Sequence, residues 1–221
     1  MIKLYIGNLN YSSWSIRAVL VARAAGLDIE EVVLPLGPQE TVDTLMQATG
    51  QHRVPALVTD TVIIHDSMAI TEWVAEQVEP GKVWPINPDK RALARSICAE
   101  MHASFIDLRS DMGVDIKNRH ATPEMTPGLK WDIDRVLQIW EMCRSTYKAD
   151  GPYLFGEWSA ADAVFMPVAT RFQTYGIDLN PAAQTYSDAV LSHPLSKELI
   201  DQAHAETWTI DLTRFRPKSA D

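Results

Sequence analysis

Cysteine is scarce in this chain of 221 residues, and its scarcity excludes two kinds of site. Cys98 and Cys143 are the only two, they lie far apart, and no Cys-x-x-Cys motif occurs. Two cysteines cannot build a disulfide framework, and their separation suits neither a redox pair nor a zinc site. We therefore expect both to be buried and to pack as small apolar side chains, and we predict no metal cofactor.

Long apolar runs and an excess of positive charge are also missing. Purely apolar stretches are short, as in residues 18–22, whereas a membrane-spanning helix needs about 20 residues. The first residues lack the order of a secretory signal. With 20 Lys and Arg against 29 Asp and Glu, the net charge is -9 and no basic cluster is visible, so a polyanion would be repelled. The sequence therefore predicts a cytoplasmic protein that binds neither membrane nor nucleic acid.

The first 80 residues alternate between strand-like and helix-like segments. Runs of β-branched residues predict strands at 2–6, 29–34, 54–58 and 62–64. Apolar periodicity and capping residues predict helices at 15–25, closed by Gly26, at 41–48 and at 67–78. On the first helix, Arg17 and Arg23 occupy positions expected to be exposed. The order is β-α-β-(α)-β-β-α with the last two strands antiparallel, which indicates an α/β unit.

A proline-rich joint then separates this unit from a helical one. Pro80, Gly81, Pro85 and Pro88 fall within ten residues, and every strong period after them is helical. The prediction is therefore an α/β plus all-α protein. Its predicted parts are a first domain over residues 1–80, a linker at 81–88 and an all-helical domain over 89–221.

Within the helical part, apolar spacing predicts two long amphipathic helices. The first follows residues 97–112 and the second residues 133–147. Further helices are expected from Ser159, where Ser159 and Asp162 form a capping box, at 181–190 and at 195–206. Pro167 interrupts the helix that begins at Ser159 and favours a kink. The polar tail from Arg214 is predicted to be loose.

The loop of residues 10–15, Asn-Tyr-Ser-Ser-Trp-Ser, joins the first strand to the first helix. Its hydroxyls therefore lie at a helix N-terminus, where unpaired N–H groups and a partial positive charge favour an anion and could stabilise a thiolate. The loop carries serine and no cysteine, so a thiolate would have to arrive on a ligand. Plain helix capping by Ser12, Ser13 or Ser15 is the alternative.

Two further features precede the third strand and the third helix. Pro55 can simply begin an edge strand; a cis bond after Val54 would expose the Val54 backbone to a peptide-like ligand, but cis occurs in only about 5–6% of X-Pro bonds. The residues alone therefore favour the plain strand.

His65-Asp66-Ser67 opens the third helix, where Asp66 and Ser67 either cap it or bind the ammonium and carboxylate ends of a ligand.

Together and in this order, three segments resemble the glutathione transferases, and the resemblance covers nearly the whole chain. Residues 12–17, Ser-Ser-Trp-Ser-Ile-Arg, are similar to the zeta-class motif Ser-Ser-Cys-Ser-x-Arg. Residues 53–57, Arg-Val-Pro-Ala-Leu, are similar to the glutathione-binding segment Gln/Lys-Val-Pro-x-Leu. Residues 64–73, Ile-His-Asp-Ser-Met-Ala-Ile-Thr-Glu-Trp, are similar to the zeta-class segment Ile-His-Gln-Ser-Leu-Ala-Ile-Ile-Glu-Tyr. Trp14 replaces the zeta cysteine, Asp66 replaces the zeta glutamine, and the loop before Ser12 is one residue longer.

The resemblance implies a thioredoxin-like N-terminal domain, a helical bundle as C-terminal domain and a homodimer. It implies that glutathione is the co-substrate and is activated as a thiolate that attacks a small electrophile. A glutathione-dependent maleylacetoacetate isomerase is the alternative among enzymes. A transferase-like module that binds partners without catalysis is the alternative of another class.

The resemblance also implies roles for single residues. Ser12 takes the place of the serine that donates to the glutathione sulfur, with Ser13 as its near alternative. The Val54 backbone would pair with the cysteinyl part of glutathione across a cis Pro55.

For the two ends of glutathione, the resemblance implies that Asp66 and Ser67 hold the γ-glutamyl end. Arg53 or His52 would reach the glycyl carboxylate.

The electrophile pocket is expected near the helix that begins the second domain. Its candidate residues are Tyr11, Met101, His102, Phe105, Arg109 and Arg171. Met101 and Phe105 are expected to be shared between core and pocket, and for Arg171 a surface ion pair is favoured over a contact with the substrate.

Overall fold

The computed structural model describes residues 1–211 and contains, within them, one four-stranded sheet. The strands are β1 (Ile2–Gly7), β2 (Ile29–Leu34), β3 (Ala56–Val58) and β4 (Ile63–His65), in the spatial order β2-β1-β3-β4. β2 runs parallel to β1, whereas β3 is antiparallel to β1 and β4 antiparallel to β3. The four predicted strands are present, although the third begins at Ala56 and not at residue 54, and the predicted antiparallel arrangement of the last two is confirmed.

The helices of the first half are α1 (Ser13–Ala25), α2 (Gln39–Thr49) and α3 (Ser67–Glu76). Gly26 closes α1 with a left-handed φ of 72°, as the sequence predicts, because glycine adopts this conformation without a steric penalty. Helix α1 contacts α3 and also the helix of the second half that spans Ala160–Thr174. This double packing makes α1 the element that joins the two halves.

The second half is helical, as predicted. Its helices are α4 (Pro88–Ala103), α5 (Ile106–Asp111), α6 (Pro127–Tyr147), α7 (Ala160–Thr174), α8 (Pro181–Ser192) and α9 (Pro194–Ala205). Several begin with proline, which has no N–H to lose at the first helical position. The α/β plus all-α fold class is confirmed, whereas the division at residues 81–88 stays a prediction.

One predicted helix is in fact two. Helix α4 ends at Ala103, and Phe105 takes a left-handed φ of 65° before α5 begins. The apolar period nevertheless continues across the break, because Met101, Phe105, Leu108 and Met112 are all buried in the same core. The apolar periodicity therefore predicted the buried residues correctly, but it did not predict that the chain changes direction at Phe105.

Helix α7 is the central helix of the second half. The predicted capping box is present: the Asp162 carboxylate accepts the Ser159 backbone N–H at 2.9 Å, and the Ser159 side chain caps the third residue of the helix. Pro167 lies inside this helix, as predicted. Nearly every α7 side chain is buried, because α1, α4 and α8 all pack against it.

Both cysteines are free and buried, as expected. Burial raises the pKa of the Cys98 thiol, and it raises the pKa of the Cys143 thiol to about 12. No helix between residues 1 and 211 is long and apolar enough to cross a membrane. The tail from Arg214 lies outside the described residues.

Candidate active site at the N-terminus of helix α1

Ser12 and Ser15 form a hydroxyl pair at the start of α1. Ser12 Oγ accepts the Ser15 backbone N–H at 3.2 Å and donates to Ser15 Oγ at 2.8 Å. Ser15 Oγ in turn accepts the Gly7 N–H at 2.9 Å. The capping alternative is therefore realised by Ser12. This role still leaves its hydroxyl at the positively polarised end of the helix.

Ser13 lies beside a buried arginine. It is the first residue of α1, it is 6% exposed, and its Oγ accepts from Arg171 Nη2 at 3.5 Å. The structure thus places two serine hydroxyls in different environments, one in a hydroxyl pair and one beside a cation.

Arg171 is buried and forms no ion pair within residues 1–211, so the expected surface ion pair is wrong. Its side chain is buried, and its guanidinium donates to the carbonyls of Met112 at 2.7 Å and Pro167 at 3.3 Å. Burial, together with Arg109, lowers its pKa to about 9. The prediction failed because helical spacing could not show that α7 is covered on all sides.

Trp14 is the centre of a cluster of basic groups. Arg17 Cζ lies 4.7 Å and Arg109 Cζ 4.6 Å from the centroid of the Trp14 ring, and the His102 ring meets the same ring edge-on with 5.0 Å between the centroids. Guanidinium groups at this distance from an aromatic face are attracted to its negative quadrupole. The residue that replaces the zeta cysteine therefore organises the basic side of the site.

Arg17 was expected to be exposed, and this expectation is wrong. It is 1% exposed, and its Nε and Nη1 are buried with no hydrogen-bond partner among residues 1–211. Burial, and then the charges of Arg109 and Arg171, lower its pKa to about 9. Buried charges are usually paired. Because the Arg17 guanidinium has no anionic partner within residues 1–211, an anion bound beside it would be stabilised.

Arg23, the other α1 arginine expected to be exposed, is largely covered. Its guanidinium binds both carboxylate oxygens of Glu31 on β2, at 2.8 and 2.7 Å. This expectation is wrong because Glu31 on β2 and the α9 side chains Glu198 and Gln202 all bind its guanidinium.

The candidate pocket residues divide into two groups. Arg109 is half-buried, its Nη2 donates to the backbone carbonyls of Met101 and His102 at the end of α4, and its Nε has no partner within residues 1–211. Tyr11 is half-buried. Met101 and Phe105 are core side chains, 0% and 2% exposed. Arg109 thus lies beside Trp14, whereas Met101 and Phe105 have almost no solvent-accessible surface with which to line a pocket.

The Val54–Pro55 peptide bond is cis. The resemblance implied this geometry, and the preference for a plain strand drawn from the residues alone is wrong. The ladder between β1 and β3 begins at Ala56, so Val54 lies outside it, and the Val54 backbone is unpaired within residues 1–211. His52 and Arg53 are exposed in the loop just before it.

Asp66 and Ser67 open α3, as predicted. Asp66 has a φ of 77°, its Oδ1 accepts the Met68 N–H at 2.7 Å, and its Oδ2 lies 3.1 Å from His102 Nε2. Ser67 is fully buried, and its Oγ has no partner within residues 1–211. His102 thereby links the start of α3 to the Trp14 cluster.

Comparison with known proteins identifies the family of the segment that carries this candidate site. Residues 11–77, which contain the serine loop, the cis proline and the start of α3, match the family model of the glutathione S-transferase N-terminal domain. The chain carries a glutathione S-transferase N-terminal domain. The resemblance predicted from the sequence is therefore confirmed.

Relatives extend this likeness beyond the glutathione S-transferase domain. The maleylacetoacetate isomerase of Mus musculus is 27% identical over 198 residues, covering 85% of this chain and 82% of the relative. A glutathione transferase homologue from Burkholderia, solved with bound glutathione, has a TM-score of 0.70 at 22% identity, covering 92% and 98% of the two chains. A bacterial zeta-class maleylpyruvate isomerase has a TM-score of 0.68 at 22% identity, covering 89% and 95%. The two structures show that the glutathione S-transferase fold extends over the helical half.

Arg17 and Trp14 are residues of this candidate site to which the sequence analysis assigned no role in binding or catalysis. A signal for Arg17 was present, because it matches the arginine of the motif Ser-Ser-Cys-Ser-x-Arg. Trp14 gave no such signal, since it departs from the motif. Within residues 1–211, no group of three or more His, Cys, Asp or Glu side chains could hold a metal ion.

Proposed function

We propose that this protein is a glutathione transferase that binds glutathione and activates its thiol at the N-terminus of α1 for attack on a small electrophile. The observation that carries the proposal is the Ser12–Ser15 hydroxyl pair at that helix end, beside Ser13 and Arg171. Hydroxyl donors and a helix N-terminus stabilise a thiolate without a protein nucleophile.

The residues of the first domain suit the shape and charge of glutathione. The free Val54 backbone can pair with the cysteinyl unit as an added strand does. The Asp66 carboxylate suits the γ-glutamyl ammonium, and the buried, unpaired Ser67 Oγ offers a donor to the neighbouring carboxylate. Arg53 or His52, both exposed, would meet the glycyl carboxylate.

Ser12 is our choice for the hydroxyl that faces the sulfur. Its oxygen is held by two hydrogen bonds to Ser15. Because serine hydroxyls rotate, Ser15 can become the donor within the pair, and Ser12 can then donate its own hydrogen to a thiolate. Ser13 would then support the site through its contact with Arg171.

A second candidate is a glutathione-dependent cis-trans isomerase, which the arginines favour. Arg171 contacts Ser13, Arg17 and Arg109 lie against the neighbouring Trp14, and none of the three forms an ion pair within residues 1–211. An electrophile that carries carboxylates would supply the missing negative charge. The names of relatives in mouse and Ralstonia, maleylacetoacetate isomerase and maleylpyruvate isomerase, denote such substrates.

In that reaction the thiolate sulfur bonds to one alkene carbon, and the double-bond electrons move to the conjugated carbonyl as an enolate. Rotation about the new single bond follows. The enolate then reforms the double bond and expels the thiolate, so glutathione is regenerated and no oxidant is needed.

The deciding experiment is calorimetric titration with glutathione, followed by turnover assays with an aryl halide and with maleylacetone. Binding and turnover of the aryl halide support the transferase. Turnover of maleylacetone alone promotes the isomerase. Absence of binding at millimolar glutathione would overturn both candidates and leave a non-catalytic binding module.

We expect the affinity for glutathione to fall as the pH drops from 7 to 5, and His102→Gln to reduce that fall. Burial lowers the pKa of His102, with the Arg17 and Arg109 charges adding to this effect and Asp66 opposing it. His102 is therefore neutral at pH 7 and gains its charge only below its ordinary pKa of about 6.5. Once charged, it competes with the γ-glutamyl ammonium for Asp66, which it already contacts at 3.1 Å.

Calorimetry at both pH values checks this expectation. His204→Gln is the matched control, because His204 is exposed on α9. An equal pH dependence in the wild-type protein and His102→Gln would contradict the competition.

A homodimer, typical of the family, is part of the proposal. It is supported by exposed apolar side chains that a partner subunit could cover, including Ile106 at 70% and Trp131 at 61% exposure. Light scattering should give twice the mass of the chain. A cytoplasmic location stays a prediction.

A further inference from the structure

The loop that carries Ser12 is held from the far end of the chain. Glu206 follows α9 directly, and its carboxylate accepts two successive backbone N–H groups of the loop. Oε1 lies 2.6 Å from the Leu9 nitrogen and Oε2 lies 3.2 Å from the Asn10 nitrogen. Hydrogen bonds to a charged acceptor are about twice as strong as neutral ones. The carboxylate thus fixes both the position and the direction of this backbone.

The helical half holds the same loop on a second side. Asn10 is fully buried. Its amide donates to Asp115 Oδ1 at 3.0 Å, its Oδ1 accepts the Lys117 N–H at 2.9 Å, and its backbone carbonyl accepts the Ile116 N–H at 3.3 Å. Lys117 Nζ also donates to the Glu206 backbone carbonyl. The two anchors are therefore joined to each other.

A single tight turn connects these anchors to the serines. The backbone N–H groups of Tyr11 and Ser12 donate to the Asn8 carbonyl at 3.1 and 2.8 Å, and the Asn8 side chain accepts the Leu36 N–H at 2.7 Å. A shift of Leu9 and Asn10 would therefore be transmitted to Ser12, the N-cap of α1.

We propose that Glu206 is a positioning residue that holds the residue 8–12 loop in the geometry that Ser12 needs to stabilise the glutathione thiolate. The catalytic part of this inference rests on the proposed function. Its physical basis is that misplacing a reacting group by about 1 Å can cost about 10²-fold in rate. The loop is one residue longer than in the zeta motif, so its backbone has more conformational freedom, and the hydrogen bonds to the Glu206 carboxylate restrict that freedom.

The test is Glu206→Gln, which keeps the length of the side chain and removes its charge. One of the two oxygens becomes an amide NH₂ group, a donor that cannot accept from the loop N–H group it faces. We expect faster hydrogen exchange in the peptide containing residues 8–12. We also expect kcat with glutathione to fall about 10-fold, KM for glutathione to change less than threefold, and the apparent pKa of the bound thiol to rise. Glu206→Asp keeps the charge and should recover part of kcat.

Asp201→Asn is the matched control, because Asp201 is an exposed carboxylate on α9. It should leave exchange, kcat and the pH profile unchanged. Unchanged exchange of the loop in Glu206→Gln would overturn the anchoring role. Faster exchange with an unchanged kcat and an unchanged thiol pKa would overturn the catalytic role and show a structural contact alone.

Failure of the proposed function is distinguishable from failure of this inference. If the wild-type protein bound no glutathione, the proposed function and the catalytic role of Glu206 would both be overturned. The exchange measurement would still decide whether Glu206 anchors the loop, since it requires no ligand.

Discussion

Ser12→Ala should lower kcat/KM for glutathione-dependent turnover by about 10²- to 10³-fold, the range seen when one preorganised donor to a developing anion is removed. Alanine has no hydrogen to donate to the sulfur, and the remaining helix N–H groups supply only part of the stabilisation. Because the thiolate is less stable, the apparent pKa of the bound thiol should rise. Stopped-flow and steady-state kinetics over a pH series measure both quantities.

Ser13→Ala is the matched control for that variant. Its hydroxyl accepts from Arg171 at a long 3.5 Å, so we expect a loss below about 10-fold, within the effect of a single weak hydrogen bond. Loss of the Ser12 cap should also destabilise α1 by about 1 kcal/mol, and thermal unfolding separates this effect from the loss of activity. A severe loss in Ser13→Ala with a mild one in Ser12→Ala would move the role to Ser13.

Asp162→Ala should lower the free energy of unfolding by about 3–5 kcal/mol, because it leaves several buried hydrogen-bond donors without an acceptor at about 1–3 kcal/mol each. Asp162 is completely buried. Its carboxylate accepts the Leu154 N–H at 3.1 Å, the Ser159 N–H at 2.9 Å and the Tyr186 hydroxyl at 3.2 Å. Removal would leave these buried donors without an acceptor and would unravel the first turn of α7, on which α1 packs.

Urea denaturation measures this loss, with Asp188→Ala as control. Asp188 is exposed on α8 and bonds only to the Gln184 side chain within the residues described, so its loss should stay within about 0.5 kcal/mol. Equal effects of the two variants would contradict the role of the capping box.

The cost of Asp162→Ala should also depend on pH. Burial raises the pKa of Asp162 to about 6 from its ordinary 3.8. A group whose pKa is raised on folding contributes most below its unfolded pKa, and it loses that contribution as the pH rises through the folded value. The difference in unfolding free energy between wild type and variant should therefore be larger at pH 4 than at pH 7. A difference that grew with pH would contradict this assignment.

Much of the fold was predictable because its signals are local. The strand at Ile29–Leu34 was predicted with the bounds observed, since β-branched residues end there at Pro35. The end of α1 at Gly26 and the start of α7 at Ser159 were predicted because a left-handed glycine and a capping box act within one helical turn.

The errors share another origin. Phe105 turns the chain between α4 and α5 although the apolar spacing continues. Arg17 and Arg171 are buried, although the sequence predicts an exposed Arg17 and a surface ion pair for Arg171. In each case a neighbouring element, distant in the chain, decides the environment. Spacing within one helix reports the presence of a buried face and carries no information on the elements that cover the remaining faces.

The sequence by itself determined the two-part architecture, the serine loop at a helix N-terminus and the resemblance to glutathione transferases, because residue order and local propensity encode them. Only the tertiary structure decided that Arg17 and Arg109 flank Trp14, that Arg171 reaches Ser13, and that Glu206 holds the loop before Ser12. These contacts join segments up to about 200 residues apart through packing, and packing follows from the combined shape of all the helices rather than from any one motif.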